Sequence, residues 1–353
     1  MPAPKFKGRG VPVQPKNRYD SQEIIYDENG WETANLKKVP AQFIADHSKT
    51  ILARNDSPDV SFTYSLNPYR GCEHGCIYCY ARPTHEQLGF SAGLDFETKI
   101  IVKHNAPQLL AETLRRKSWQ PQVVALSGNT DCYQPIEREL RLTRDCLKVF
   151  LKYRNPVSII TKNALVLRDL DLLRQLAALN LVSVRISITT MNNRLSRILE
   201  PRTAAPAKRL QVIQQLAQSG VPVGVLVAPV IPALNENEIP EILRRAADAG
   251  ATQATYILLR LPHSLKEIFQ QWLEHYFPDR AKKILHALES MRDGKLYQCT
   301  FRDRQKGHGP RAQLLQSLFE VSCAKYGLND RPVQLSTAHF CRTPQQLSLL
   351  DPA

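Results

Sequence analysis

Between residues 60 and 260, six short runs rich in β-branched residues alternate with segments of helical period. The runs are "VSFTYSL" (60–66), "QVVALS" (122–127), "VSIIT" (157–161), "LVSVRISIT" (181–189), "VPVGVLVAP" (221–229) and "QATYILLR" (253–260). The segments between them include "APQLLAETLRRK", "ERELRLTRDCLKVFLKY", "ALVLRDLDLLRQLAAL", "APAKRLQVIQQLAQSG" and "EIPEILRRAADAG", the last two stopping at Gly220 and Gly250. Strand–helix alternation with short connections predicts an α/β fold with parallel strands and right-handed crossovers. Six units fit an open, partial (β/α)6 barrel, with a doubly wound sheet as the alternative. The fourth strand bears on the choice. Val182, Val184, Ile186 and Ile188 point one way, and Ser183, Arg185, Ser187 and Thr189 the other. A strand buried between two helix layers is apolar on both faces. A polar face suits the lumen of a barrel. The fifth strand agrees, because Pro222, Gly224, Leu226 and Ala228 put small residues inward opposite a valine face.

After about 262 the alternation stops. "SLKEIFQQWLEHYFPDRAKKILHALESMRDG" and "RAQLLQSLFEVSCAKYGL" read as helices, joined by a basic loop. The expected organisation is a basic N-terminal tail and extended wrap over 1–50, a barrel over 51–261 and a helical C-terminal extension over 262–353. No apolar run approaches the roughly 20 residues needed to span a bilayer. The basic start "MPAPKFKGRG" has no apolar stretch of the secretory kind. A cytoplasmic protein is expected. With 47 Lys and Arg against 33 Asp and Glu, the net charge is +14. That balance favours a polyanionic partner such as nucleic acid, although it also serves plain solubility.

Three of the eight cysteines lie in "NPYRGCEHGCIYCYARP", residues 67–83. Cys72, Cys76 and Cys79 follow the first predicted strand with the spacing Cys-x3-Cys-x2-Cys. Gly71 and Gly75 let the chain turn tightly around a bound group. Eight cysteines in so long a chain are not a disulfide framework, and clustered cysteines in the cytosol more often bind metal or do chemistry. Three readings are open. A structural zinc would need a fourth ligand, from His74, His85 or Cys132. A redox pair would use Cys76 and Cys79 and leave Cys72 idle. An iron–sulfur cluster held by three thiolates would leave one iron open to substrate or cofactor, unlike electron-transfer clusters with four cysteines. The place of the loop, at the C-terminal end of a barrel strand, is where barrel active sites sit.

"CEHGCIYC" resembles the motif of the radical S-adenosylmethionine superfamily, with an aromatic residue, Tyr78, before the third cysteine. "LSGNTDCYQPIE", "ITTMNNRLSRILEPRTAAPAKRLQVIQQLAQSGVPVGVLVAPVIPALNE" and "HGPRAQLLQSLFEVSCAKYGLN" resemble the bacterial branch related to spore photoproduct lyase, often labelled DNA repair photolyase-like. The resemblance covers most of residues 55–350. It implies a radical-SAM partial barrel with a [4Fe–4S] cluster on Cys72, Cys76 and Cys79. It also implies S-adenosyl-L-methionine on the open iron and an external electron donor such as flavodoxin or ferredoxin. Reductive cleavage of the cofactor would give a 5′-deoxyadenosyl radical that takes hydrogen from substrate. Residue by residue, the backbone at Tyr78 would meet the adenine. Ser127, Gly128, Asn129 and Thr130 would lie beside the methionyl amine. Lys162 and Ser187 would touch the methionyl or ribose groups, and Val230 and Ile231 would pack on the adenine.

One departure concerns the reaction. Spore lyases keep a hydrogen-donating cysteine in the second-strand turn, where Gly128 stands here. Cys132 is the candidate catalytic donor in its place, its alternative being a buried small side chain. Glu200, Arg202 and Arg209 form a candidate ion-paired support under the cofactor. Cys146 reads as core, while Cys299, Cys323 and Cys341 lack motif spacing. The segment "FRDRQKGHGPR" (301–311) is a candidate phosphate-contacting loop through Arg302, Arg304, Lys306 and Arg311. The competing function is a non-catalytic nucleic-acid-binding protein with a structural zinc.

Overall fold

A computed structural model of the chain describes residues 9–11, 14–19, 39–60 and 62–343. Most of the tail expected over 1–50 lies outside the described residues. Ten strands occur among those described: β1 Gln42–Ala45, β2 Leu52–Arg54, β3 Tyr64–Leu66, β4 Tyr69–Arg70, β5 Lys99–Val102, β6 Val124–Leu126, β7 Val157–Thr161, β8 Val182–Ser187, β9 Val223–Val230 and β10 Gln253–Leu258. The main sheet runs β10-β9-β8-β7-β6-β3-β2. Its six strands from β3 to β10 are parallel, and β2 adds antiparallel to the edge at β3. The sheet does not close, so the fold is the partial barrel. A second, small sheet joins β1, β5 and β4.

The register aligns Tyr64 with Val124, Val124 with Val157 and Val157 with Val182. The first strand is shorter than "VSFTYSL" suggests. Asn55 turns the chain back, its amide donating to the Thr63 carbonyl at 2.6 Å and its side chain to the Phe62 carbonyl at 3.2 Å. Helical patterns that read as single segments are broken where a backbone constraint intervenes. Arg141, at φ +55°, separates Glu137–Leu140 from Leu142–Tyr153. Pro278 has no amide hydrogen to continue Leu265–Tyr276, and opens a new helix over Pro278–Glu289.

Apolar stripes fix these helices on the sheet. Leu142–Tyr153 buries Cys146, Leu147, Phe150 and Tyr153 at helical spacing, which places Cys146 in the core. The C-terminal helices pack on the barrel. Trp272 is fully buried, and its indole donates to the Ile198 carbonyl at 3.1 Å. Phe319 of Pro310–Lys325 lies 4.8 Å from the Tyr256 ring of β10.

The polar face of β8 serves two places, not one lumen. Ser187 faces a cavity at the C-terminal end of the strands. Ser183 and Arg185 line a separate pocket of about 40 Å³ with Gly224 and Gln253. Gly224 is required there, since a Cβ would lie 2.7 Å from the Gln253 carbonyl oxygen.

Behind the cysteine loop, His85 is buried with Nε2 2.8 Å from the Lys99 carbonyl oxygen and its ring against Phe96. Burial is the main cause that holds its pKa down, at about 4. The folded protein therefore keeps His85 neutral, while the unfolded chain takes up a proton below about 6.5. The stability this contributes is complete above about pH 6.5 and fades as pH falls towards 4. Thermal unfolding followed from pH 7 to pH 4 is expected to show a decline in Tm that is shallower in His85→Gln. Equal slopes in the two proteins would refute the assignment.

Candidate functional site

The loop after β4 turns at Gly71 and Gly75, at φ +83° and +68°. A Cβ at Gly75 would sit 2.7 Å from Glu97 Oε2, so the close approach excludes any other residue. Arg82 holds the loop from behind. Its Nε donates to the Cys76 carbonyl at 2.9 Å, Nη1 to those of Ala92 and Gly93, and Nη2 to Glu97 at 2.6 Å. Glu97 in turn accepts the amides of Gly10 and Val11 at 3.0 and 3.1 Å. The described part of the N-terminal segment thus runs over the back of the cysteine loop.

Cys72, Cys76 and Cys79 are free thiols lining one cavity of about 240 Å³. Burial pushes all three thiols up, so each is a neutral S–H until a metal displaces the proton. Lys162 and Arg209 pull against this at Cys76, and Arg82 and Lys162 at Cys79. The other donors a zinc would need are engaged elsewhere. His74 lies with Nδ1 3.4 Å from Asp131 and Nε2 3.1 Å from the Asn163 amide. His85 and Cys132 are outside the cavity wall. Three thiols with no fourth cysteine beside them fit a cluster with one open corner.

Tyr78, Ser127, Gly128, Asn129, Thr130, Lys162 and Ser187 line the same cavity. Their positions are set by local hydrogen bonds. Asn67 Oδ1 accepts the amides of Asn129 and Thr130 at 2.9 and 3.3 Å. Ser127, at φ +74°, accepts the Cys132 amide at 2.6 Å. Gly128 has no room for a side chain, because a Cβ would meet the Ser65 Cβ at 2.8 Å. Lys162 Nζ donates to Ser187 Oγ at 2.6 Å and to the Ala228 carbonyl at 3.1 Å.

Beneath them lies a buried charge network. Glu200 accepts from the Tyr78 hydroxyl, from Thr189 Oγ1 at 2.5 Å and from Arg209 Nη2, and it stands 3.4 Å from Lys162 Nζ. Burial would raise the Glu200 carboxyl, but Arg209, Lys162 and the two hydroxyls outweigh it and hold the group well below its ordinary value. Glu200 and Arg209 are thus an internal pair, whereas Arg202 is drawn off to Glu73 at 3.2 Å.

Three of the expected groups sit differently in the structure. Cys132 is fully buried in the core and absent from the cavity wall, because its amide is pinned to Ser127 and its carbonyl accepts from Thr143 at 2.6 Å. Val230 and Ile231 do not line the cavity, where Leu226, Ala228 and Pro229 take the place. The β9–β10 register shifts between Val227 and Val230, and Asn235 holds the turn that follows: its Oδ1 accepts the Ile231 amide at 2.6 Å and its Nδ2 donates to the Pro229 carbonyl at 3.0 Å. The basic segment 301–311 uses most of its charges internally, while Arg302 is exposed. Arg304 pairs with Asp59, Arg311 with Glu236 at 2.6 Å and His308 with Asp293 at 2.6 Å, while Lys306 Nζ lies 4.1 Å from the Tyr256 ring centroid.

Sequence reasoning missed Asp131, Tyr80, Gln305 and Arg260, all in the wall. Asp131 accepts from Thr161 Oγ1 and the Lys162 amide, both at 2.8 Å. Tyr80 donates to the Gly128 carbonyl at 2.6 Å. Its position directly after the third cysteine was the available signal. Gln305 and Arg260 gave none, because they arrive from the C-terminal extension and the end of the last strand.

The family model described as "Radical SAM superfamily" matches residues 66–246. An uncharacterized protein of Mycobacterium bovis is 40% identical over 232 residues, covering 64% of this chain and 68% of the relative. Another, from Methanocaldococcus jannaschii, is 31% identical over 175 residues, covering 50% and 63%. The fold is similar to a solved spore photoproduct lyase variant, with TM-score 0.59, 18% identity and coverage of 81% of this chain and 80% of the other. A second, solved with bound AdoMet and dinucleoside spore photoproduct, has TM-score 0.58 and 19% identity over the same shares. The chain belongs to the radical SAM superfamily. It is therefore an enzyme of the class that works with a [4Fe–4S] cluster and S-adenosylmethionine.

Two outcomes follow from this geometry. Gly128→Ala is expected to lose about 1–3 kcal/mol by overpacking against Ser65. Adding Ser65→Gly should restore most of the loss in a urea titration, and additive losses would refute the contact. Glu200→Gln keeps the shape but leaves buried Arg209 and partly buried Lys162 without their carboxylate. A loss of about 3–5 kcal/mol is expected in the same titration, and an unchanged midpoint would remove Glu200 from its central place.

Proposed function

We propose that Cys72, Cys76 and Cys79 ligate a [4Fe–4S] cluster and that the enzyme performs radical chemistry on a nucleic-acid-derived substrate. The observation that carries this reading is the meeting of three thiols, and no fourth, with Lys162 and Ser187 in one cavity. When bound, the cluster and S-adenosylmethionine supply a 5′-deoxyadenosyl radical that takes a hydrogen atom from substrate. The chain's own residues do the rest. Lys162 and Ser187 present an ammonium and a hydroxyl to the polar groups of the cofactor. The turn at Ser127–Thr130 would form the wall beside its methionyl end. Tyr78 stays protonated, because burial first, then Cys76 and Glu200, raise its phenol well above the usual range. Its hydroxyl therefore keeps donating to Glu200, which fixes the loop carrying Cys76 and Cys79. Ala228, Leu226 and Phe62 exclude water around the reacting groups. The electron would come from a small carrier such as flavodoxin or ferredoxin.

Support for a nucleic-acid-derived substrate comes from the +14 charge and from the dinucleoside in the solved lyase. In lyase chemistry of that kind Cys132, buried beside Ser127, would have to be reached from the cavity to donate hydrogen. Among the described residues no helix is long and apolar enough to cross a membrane.

Anaerobic reconstitution tests the cluster. About four irons per chain and a brown protein absorbing near ~400 nm are expected. Cys76→Ala should lose both the cluster and 5′-deoxyadenosine formation with dithionite. A colourless protein holding one zinc would support the binding-module alternative. Incubation with DNA or RNA, followed by mass spectrometry of nucleosides, tests the substrate class.

A further inference from the structure

Arg260, two residues beyond β10, lines the cavity. It has no carboxylate partner among the described residues, and its Nε is buried without a hydrogen-bond partner. Its guanidinium lies 5.2 Å from the centroid of the Tyr80 ring. The neighbouring cation does not relieve it. Arg292 is fully buried and spends its Nη groups on the carbonyls of Leu259, Leu296 and Arg304. Burial, then the charge of Arg260, hold Arg292 down to about 10. Two guanidiniums thus sit close together with no acid between them, although Lys162, Arg209, Arg82 and Arg304 each have one. An uncompensated, partly desolvated guanidinium is costly unless a ligand supplies the missing anion.

The surroundings narrow the chemistry of that anion. Phe62, Val60, Ile257 and Leu258 add apolar wall to the same cavity, and Tyr80 is 42% exposed. A forked cation stacked on an aromatic ring beside an apolar wall suits a planar base next to a phosphate. We propose that Arg260 is a specificity-determining residue that binds a backbone phosphate of a nucleotide substrate, with the base against Tyr80 and Phe62. This rests on the nucleic-acid reading above and adds the group that reads it.

The test measures binding to the cluster-loaded enzyme with S-adenosylmethionine and without reductant. The probes are a thymidine dinucleotide with its phosphodiester and the same dinucleotide as the uncharged methylphosphonate. Wild type is expected to bind the phosphodiester at least about tenfold more tightly than the methylphosphonate. Arg260→Gln should lose that preference, leaving the methylphosphonate affinity within about twofold, and Arg260→Lys should recover part of it. Affinity for S-adenosylmethionine should stay within about twofold in Arg260→Gln, since Lys162 is the cation facing that end. Weakening of S-adenosylmethionine instead would assign Arg260 to the cofactor and overturn the proposal. Wild type binding both probes equally would leave the nucleotide reading standing and remove the role of Arg260. Wild type binding neither would remove the nucleotide reading and the role together.

Discussion

The Arg82–Glu97 pair is the interaction on which the cysteine loop depends. Both side chains are fully buried, and each is saturated by partners of the opposite kind. Arg82 has no acceptor capacity of its own, so four oxygens must converge on it, and one of them is the Cys76 carbonyl. Glu97 needs donors on its remaining lone pairs, and the amides of Gly10 and Val11 supply them. Three distant segments of chain are thereby held at one point: the start of the described chain, the loop itself and the helix before β5. A buried pair of this sort adds little net stability, but losing either partner would strand a charge. Its value here is placement. The cysteine positions cannot drift without breaking several hydrogen bonds at once.

The cavity floor repeats the device with different members. Lys162 extends from the end of β7, reaches Ser187 on β8 and the Ala228 carbonyl on β9, and stands beside Glu200. One amine therefore ties three parallel strands laterally at the end where the site lies. The Ala228 carbonyl also accepts from Thr189 Oγ1 at 2.8 Å. The small inward residues of β9 leave the space above this floor open.

Much of this was legible in sequence because periodicity and spacing are local. β7 occupies residues 157–161 as its β-branched run implies, and the cysteine spacing pointed to the loop that meets Lys162 and Ser187. Whatever depended on distant partners was not legible. Val230 shares the parity of Ala228, yet the β9–β10 register shifts between Val227 and Val230, so parity no longer predicts its facing. Cys132 is five residues beyond Ser127, and only the folded structure shows that its side chain is fully buried. The basic run 301–311 looks like free charge until Asp59, Asp293 and Glu236 arrive from elsewhere in the chain. Arg260 is the converse: an ordinary residue in sequence whose isolation is visible only in three dimensions.

The network around Glu200 has a consequence for electron transfer. Lys162 and Arg209 bring two positive charges, and Glu200 and Asp131 two negative, so the charges around the cysteines balance in number. Arg82, on the far side of the loop, is neutralised by Glu97 and adds no excess. The balance is uneven in place: Asp131 acts on Cys72, whereas Lys162 acts on Cys76 and Cys79. A group that gained an electron in that loop would therefore find its opposing charge on the Cys76 and Cys79 side.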